Sequence, residues 1–192
     1  MGNHCMNALK LEGKEDTIQN VLEFIKGEEE LIDFNKIIPI PLGLQTATSR
    51  MFEDDIPAAE YKAAAQRNIE QYGYEHSQLF CLDKWGTRLN SHNSSLSKDG
   101  KVIYFETMWT PPMLCIIKLS EIFPEVKFTA KHADEFLLYI GLFECKNGEA
   151  KGRCIGYLDH GTIIEEQYLK QEIFGQIDID TDIISLEWLK TV

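Results

Sequence analysis

The sequence predicts an α+β fold: an antiparallel sheet with helices packed on one face. Three observations predict it. Apolar and polar residues alternate along Met6–Glu12, Val102–Trp109 and Val126–Ala133, as half-buried strands require. Apolar residues at helical spacing, with start and stop signals, follow the first of these stretches and separate the other two. Near the end of the pattern, Asn147-Gly148 lies between two more strand-like stretches and is the strongest short turn signal in the chain.

Met6–Glu12 sets Asn7, Leu9 and Leu11 on one face and Lys10 and Glu12 on the other, and ends at Gly13. Asp16 then reads as a helix N-cap, with Gln19 completing a capping box; Ile18, Val21, Leu22 and Ile25 follow at helical spacing and Gly27 supplies the stop. Glu28–Asp55 is irregular and carries Pro39, Pro41 and Gly43. Pro57 opens a second helix through Ala58, Tyr61, Ala65 and Ile69 to Tyr72, closed by Gly73. Residues 39–84 read as an excursion from the sheet, with no strong strand before Leu79–Leu82.

A hairpin is expected next: Thr87–Ser91 as a short strand, Asn93–Gly100 as a polar loop and Val102–Trp109 as the return. Thr110 is expected to cap a mostly buried helix that has Pro111 in its first turn, runs to Phe123 and stops at Pro124. Val126–Ala133 turns Lys127, Thr129 and Lys131 to water. Leu137–Lys146 and Gly152–Leu158 form a last hairpin, and the tail from Thr162 reads as a short helix and a terminal strand. The order β-α-(excursion)-β-β-α-β with extra C-terminal strands is the ferredoxin-like plan. One domain spans 1–192: the core is 1–38 and 85–148, the helical excursion 39–84 and the C-terminal extension 149–192. The plan names a fold only, since an iron–sulfur cluster needs four suitably spaced thiolates.

Composition narrows the function classes. A hydrophobic content of 44% excludes a largely disordered chain, and a formal charge of −12 opposes binding to a phosphate backbone. Tyr104 and Phe105 fall on opposite strand faces with no basic-Gly-aromatic core before them, so the RNA-binding use of this fold is not expected. Met1–Asn7 has no leader pattern, and the longest apolar run, Phe136–Phe143, falls far short of the roughly twenty residues of a membrane span. A cytoplasmic chain without membrane contact is the expectation. Five cysteines with no C-x-x-C read as reduced thiols acting as small hydrophobes.

Three blocks of residues carry a family likeness. They are Asn3-x-Cys5-x-Asn7 with its alternation to Gly13; Tyr72-Gly73 followed by Trp85-Gly86-Thr87-Arg88; and Phe105-Glu106-Thr107-x-Trp109-Thr110-Pro111-Pro112 with Leu119-Ser120 and Phe123-Pro124. Together they resemble the uncharacterised YubB-type family of phages, plasmids and the bacteria that carry them, over roughly residues 1 to 150. His4 stands where that pattern has an aromatic such as Trp, and Phe80 and Cys81 stand where further tryptophans are found. The resemblance implies a ferredoxin-like domain and a mobile-element setting, and no activity.

The candidate site lies on the central hairpin. With the loop centred near Ser97, Trp85 would oppose Trp109 and Arg88 would oppose Glu106, beside Thr110 at a helix N-terminus. Aromatic walls, a guanidinium, a carboxylate and a helix start make Trp85, Arg88, Glu106, Trp109 and Thr110 a candidate ligand or anion pocket. The bland alternative is that these residues only pin the hairpin register; a tighter turn at Asp99-Gly100 would dissolve the Arg88–Glu106 pair. Asp178, Asp180 and Asp182 mimic the start of a calcium loop, but Ile183 and Leu189 occupy its glycine and glutamate positions. Asp159-His160 after Cys154 fits no ligand spacing, and His132 and Asn7 read as structural. No cofactor and no metal is expected. The functional expectation is a non-enzymatic mobile-element accessory protein that binds another protein, with a small-ligand or anion-binding domain as the alternative. A homodimer through an exposed strand edge is a further expectation.

Overall fold

The computed structural model describes residues 3–47, 58–135 and 139–156. In chain order the elements are β1 (His4–Glu12), α1 (Glu15–Ile25), α2 (Phe34–Ile37), a 3-10 turn (Leu42–Leu44), α3 (Ala58–Tyr72), α4 (Ser77–Trp85), β2 (His92–Leu96), β3 (Val102–Met108), α5 (Met113–Ile122), β4 (Lys127–Asp134), β5 (Tyr139–Lys146) and β6 (Glu149–Gly156). The sheet runs β2-β3-β1-β4-β5-β6 with every neighbour antiparallel, which is the ferredoxin-like order extended by a hairpin. The expected tail after Thr162, the acidic run 178–182, His160 and Pro57 lie outside the described residues. No described helix is long and apolar enough to cross a membrane.

Strand β1 is central because both of its faces and both of its edges are used. Leu9 and Leu11 join Ile103, Phe105, Phe128, Ala130, Phe143 and Cys145 on one face of the sheet, under Ile18, Val21 and Ile25 of α1 and Cys115, Ile116 and Leu119 of α5. Burying each such Leu, Ile or Phe contributes roughly 1.5–3 kcal/mol. Cys5, Cys81, Cys115 and Cys145 are buried as small hydrophobes outside any disulfide, and burial pushes the thiols of Cys81, Cys115 and Cys145 above the ordinary range. Asn7 is a buried amide, donating to the Cys5 carbonyl at 2.9 Å and to Thr107 Oγ1 at 3.0 Å. At Asn147-Gly148 both φ angles are positive, the requirement of a two-residue hairpin turn, so pairing resumes at once with Lys146↔Glu149 and β6 starts three residues before the expected Gly152.

Four expectations are corrected. The first helix is capped by Lys14 without a side-chain bond, and Glu15 and Asp16 lie in its first turn, where their charges complement the helix dipole. Leu79–Leu82 is helical: Phe80, Cys81 and Trp85 are buried while Leu79 and Leu82 are exposed, a helical stripe that strand alternation cannot make. The strand placed at Thr87–Ser91 lies at His92–Leu96, inside the expected polar loop. It is polar because it is an edge, and Glu30 covers that edge by accepting from the amides of Asn93 and Ser94 at 3.2 and 2.8 Å. Finally, Thr110 does not cap the helix after it, which starts at Met113 behind Pro112.

His132 is buried on β4 against the rings of Tyr139 and Phe143, and its Nδ1 has no hydrogen-bond partner among the described residues. Burial lowers its pKa to about 4. The unfolded chain, with an ordinary histidine near 6.5, therefore binds the proton first as pH falls. Stability from this residue is intact above about pH 6.5 and is lost between there and about pH 4, by about 3 kcal/mol in all. Chemical denaturation of wild type and His132→Gln across this window should give curves whose separation changes with pH. A separation that stays constant would show that His132 titrates alike in both states.

Candidate functional site

The five expected site residues do not form one pocket. Trp85 ends α4 and points into the core, donating from Nε1 to the Ile38 carbonyl at 2.8 Å and meeting the Phe34 ring edge-on at 5.7 Å. Gly86, with φ of +88°, turns the chain sharply away; a Cβ there would lie 3.2 Å from the Pro111 carbonyl. Trp85 therefore cannot oppose Trp109. Arg88 stacks instead over the Trp109 ring, 4.8 Å from its centroid. Thr110 ties the two segments together, its hydroxyl donating to the Gly86 carbonyl at 2.7 Å.

Trp109 itself holds an unusual backbone, with φ of +68° and Thr110 N bonded to the Met108 carbonyl at 2.8 Å. This is a three-residue turn that a large side chain enters only under constraint. The constraints are visible. Trp109 N donates to the Asn3 carbonyl at 2.9 Å, the Tyr139 hydroxyl donates to the Trp109 carbonyl, and Thr107 Oγ1 donates to the Thr110 carbonyl at 2.9 Å.

The turn at Asp99-Gly100 is the tighter one, closed by Ser97 N on the Val102 carbonyl at 2.8 Å, and it replaces the Arg88–Glu106 pairing with His92↔Glu106. The register slips by one residue between Ser95 and His92, a β-bulge with Asn93 at φ +53°. Continued without the slip, the pairing of Ser95 with Tyr104 would set His92 against Thr107, on the face buried under the helices. The bulge thus turns His92 to the other face, where Glu106 points. His4, two residues from the Glu106 partner Met6 on β1, shares that face.

The three side chains converge. His4 Nδ1 and His92 Nε2 lie 3.0 and 3.4 Å from Glu106 Oε2, and the two ring nitrogens are 3.0 Å apart. The two imidazoles are about one-third exposed and the carboxylate is 20% exposed, so the group is open to solvent on one side. Two neighbouring carboxylates brace it. Glu135 accepts from His4 N at 3.1 Å and returns its own N–H to the His4 carbonyl at 2.9 Å. Burial works against the Glu30 charge, but the Ser94 hydroxyl and the amides of Ser94 and Asn93, with His92 nearby, outweigh it and hold the carboxyl below the ordinary range. Two imidazoles and a carboxylate can share a proton or hold a cation, in a setting that is anionic overall.

Sequence reasoning finds Glu106 here and misses both histidines. The expectation of no metal-ligating group rests on local spacing, and positions 4, 92 and 106 have none. His4 could have been placed on the solvent face of β1 from the alternation that buries Leu9 and Leu11; His92 could not, because a bulge sets its face. The separation of core from surface is measurable. Trp85→Ala should cost about 3–5 kcal/mol of stability, as truncation of a buried aromatic does, and Arg88→Ala about 1 kcal/mol or less. Equal losses in denaturant titrations would place Arg88 in the core framework instead.

No curated protein matches the chain. The crystal structure of protein api92 from Yersinia pseudotuberculosis is similar in fold, with a TM-score of 0.50 at 10% identity, over 82% of this chain and 98% of that chain. Residues 84–178 match the family model described as the ferredoxin-like domain in Api92-like protein, a stretch that begins at the end of α4 and takes in β2 to β6. The chain thus carries a ferredoxin-like domain similar to that of Api92-like proteins.

Proposed function

We propose that this chain is a non-enzymatic binding protein whose working surface is the end of the sheet where His4, Glu106 and His92 meet, next to the Arg88–Trp109 stack. The observation that carries this reading is the convergence of three ionisable side chains from three strands, with polar atoms 3.0–3.4 Å apart on a solvent-facing surface. Nothing in the packing of the core needs that convergence, since Phe105 and Leu9 of the same strands supply the buried face. The strained backbone of Trp109 at the same end of the sheet supports it, because strain persists where the surrounding structure holds a residue for a purpose.

A thermal-shift screen of the full chain against anions, metabolites and divalent metals tests this surface. A compound that stabilises wild type should lose its effect in Glu106→Gln or in Arg88→Ala, both of which should fold. Silence across the whole library, or stabilisation that both variants retain, would overturn the reading.

A protein partner is the second reading, favoured by the exposed side chains of Trp109, Met113 and Leu114 around the start of α5. Large apolar residues grouped at a surface mark contact sites more often than scattered ones. It fits the phage or plasmid setting that the YubB-type resemblance implies. A partner held there should be lost from co-purification with Leu114→Asp and retained with Glu106→Gln; retention with both variants would remove this surface from consideration.

A further inference from the structure

We propose that His4, His92 and Glu106 bind a divalent first-row transition-metal ion, zinc foremost, through His4 Nδ1, His92 Nε2 and Glu106 Oε2, leaving its remaining coordination open. This rests on the reading of the sheet end as the binding surface and names its ligand.

The argument begins with protons. The three atoms form a closed triangle, with edges of 3.0, 3.0 and 3.4 Å. Each imidazole nitrogen is either a donor with one proton or an acceptor with one lone pair, never both. If both nitrogens donate to the carboxylate, the 3.0 Å contact between them sets donor against donor. If one donates to the other, at least one contact with Glu106 Oε2 is left without a proton of its own. No assignment of protons gives all three edges a full hydrogen bond. A cation satisfies all three at once, because every atom then directs a lone pair inward. A point about 2 Å from each atom lies just off the plane of a triangle this size, which is the bond length of zinc to imidazole nitrogen and carboxylate oxygen.

The donor set selects the ion. Two nitrogens and one oxygen suit zinc and its first-row neighbours, while calcium and magnesium take oxygen ligands almost throughout. Three protein ligands with an open position are the arrangement of an accessible metal site. The local charge agrees, since Glu106 is an immediate ligand and the Glu30 carboxylate lies near His92. The fold also gives up regular pairing for this geometry: the bulge after His92 releases two backbone amides, and Glu30 takes both. Glu30 is therefore a positioning residue, acting on His92 through the bulge.

The test is calorimetric titration of the full, untagged chain with zinc chloride, and with cobalt chloride followed by visible absorption. One zinc per chain is expected, with a cobalt spectrum of low coordination number, and neither magnesium nor calcium competing. Glu106→Gln and His92→Ala should weaken zinc binding by about 100-fold or more, above the 10–100-fold seen when only an outer partner of a metal ligand is lost. Their circular dichroism and metal-free melting should stay close to wild type, which keeps loss of binding distinct from loss of fold. Zinc bound equally well by both variants would overturn the assignment. Absence of zinc binding while an anion still stabilises wild type and not Arg88→Ala would overturn the metal site and leave the binding surface standing. Absence of every ligand would remove both.

Discussion

The register of β1 against β3 is the constraint on which the rest of this structure depends. It is fixed by a buried polar contact: Asn7 donates to Thr107 Oγ1 at 3.0 Å, and both residues are almost wholly shielded from solvent. A slip of one residue would turn Leu9, Leu11 and Asn7 together out of the core and break the bond between Asn7 and Thr107. The same register determines that His4 and Glu106 share the solvent face. Thr107 extends the constraint outward by donating to the Thr110 carbonyl, which helps set the backbone turn at Trp109. Core packing and the surface cluster are thus two faces of one alignment.

The segments outside the sheet act on it through a few contacts. Phe34 on the short helix α2 meets both Trp85 and Phe105 edge-on, at 5.7 and 6.0 Å, and so links the helical excursion to the central strands. The loop before it reaches β2 instead: Glu30 takes the amides of Asn93 and Ser94, Leu31 N donates to Ser94 Oγ at 2.7 Å and the Ser91 hydroxyl donates to the Ile32 carbonyl. An edge strand as polar as His92–Leu96 buries little and holds its place through these bonds. That is why a strand with no apolar alternation exists at all.

The core was legible in the sequence because its residues follow two simple periods. Leu9 and Leu11 alternate, Ile18, Val21 and Ile25 recur at helical spacing, and Asn147-Gly148 announces its turn; each lies where that local rule puts it. The candidate site was half legible. Glu106 and Trp109 could be chosen from the hairpin pattern, but their partners depended on where the turn closed. Asp99-Gly100 moved the register, and Arg88 came to rest on Trp109 instead of Glu106. His92 was illegible for a different reason, since no local preference of His-Asn-Ser-Ser-Leu favours a strand. Its conformation comes from Glu30, some sixty residues earlier, and tertiary contacts of that range leave no trace in a local pattern.

Backbone strain in the described residues falls where the surface cluster is. Three residues other than glycine have positive φ: Asn93, Trp109 and Asn147. Asn147 belongs to a two-residue hairpin that demands this conformation, and it needs no further cause. Asn93 and Trp109 have no such excuse, and both lie at the end of the sheet that carries His4, His92 and Glu106. Each is held in place by partners: Glu30, from a distant segment, for the bulge at Asn93, and Asn3 and Tyr139 from distant segments with the neighbouring Thr107 for the turn at Trp109. A fold that needed only a stable hairpin would close the β2–β3 ladder without the bulge and spare the cost of a strained tryptophan, on the order of 1–3 kcal/mol. The irregularity instead turns one histidine toward a carboxylate and a second histidine, and the physical work done at this end of the sheet is the placement of those three side chains.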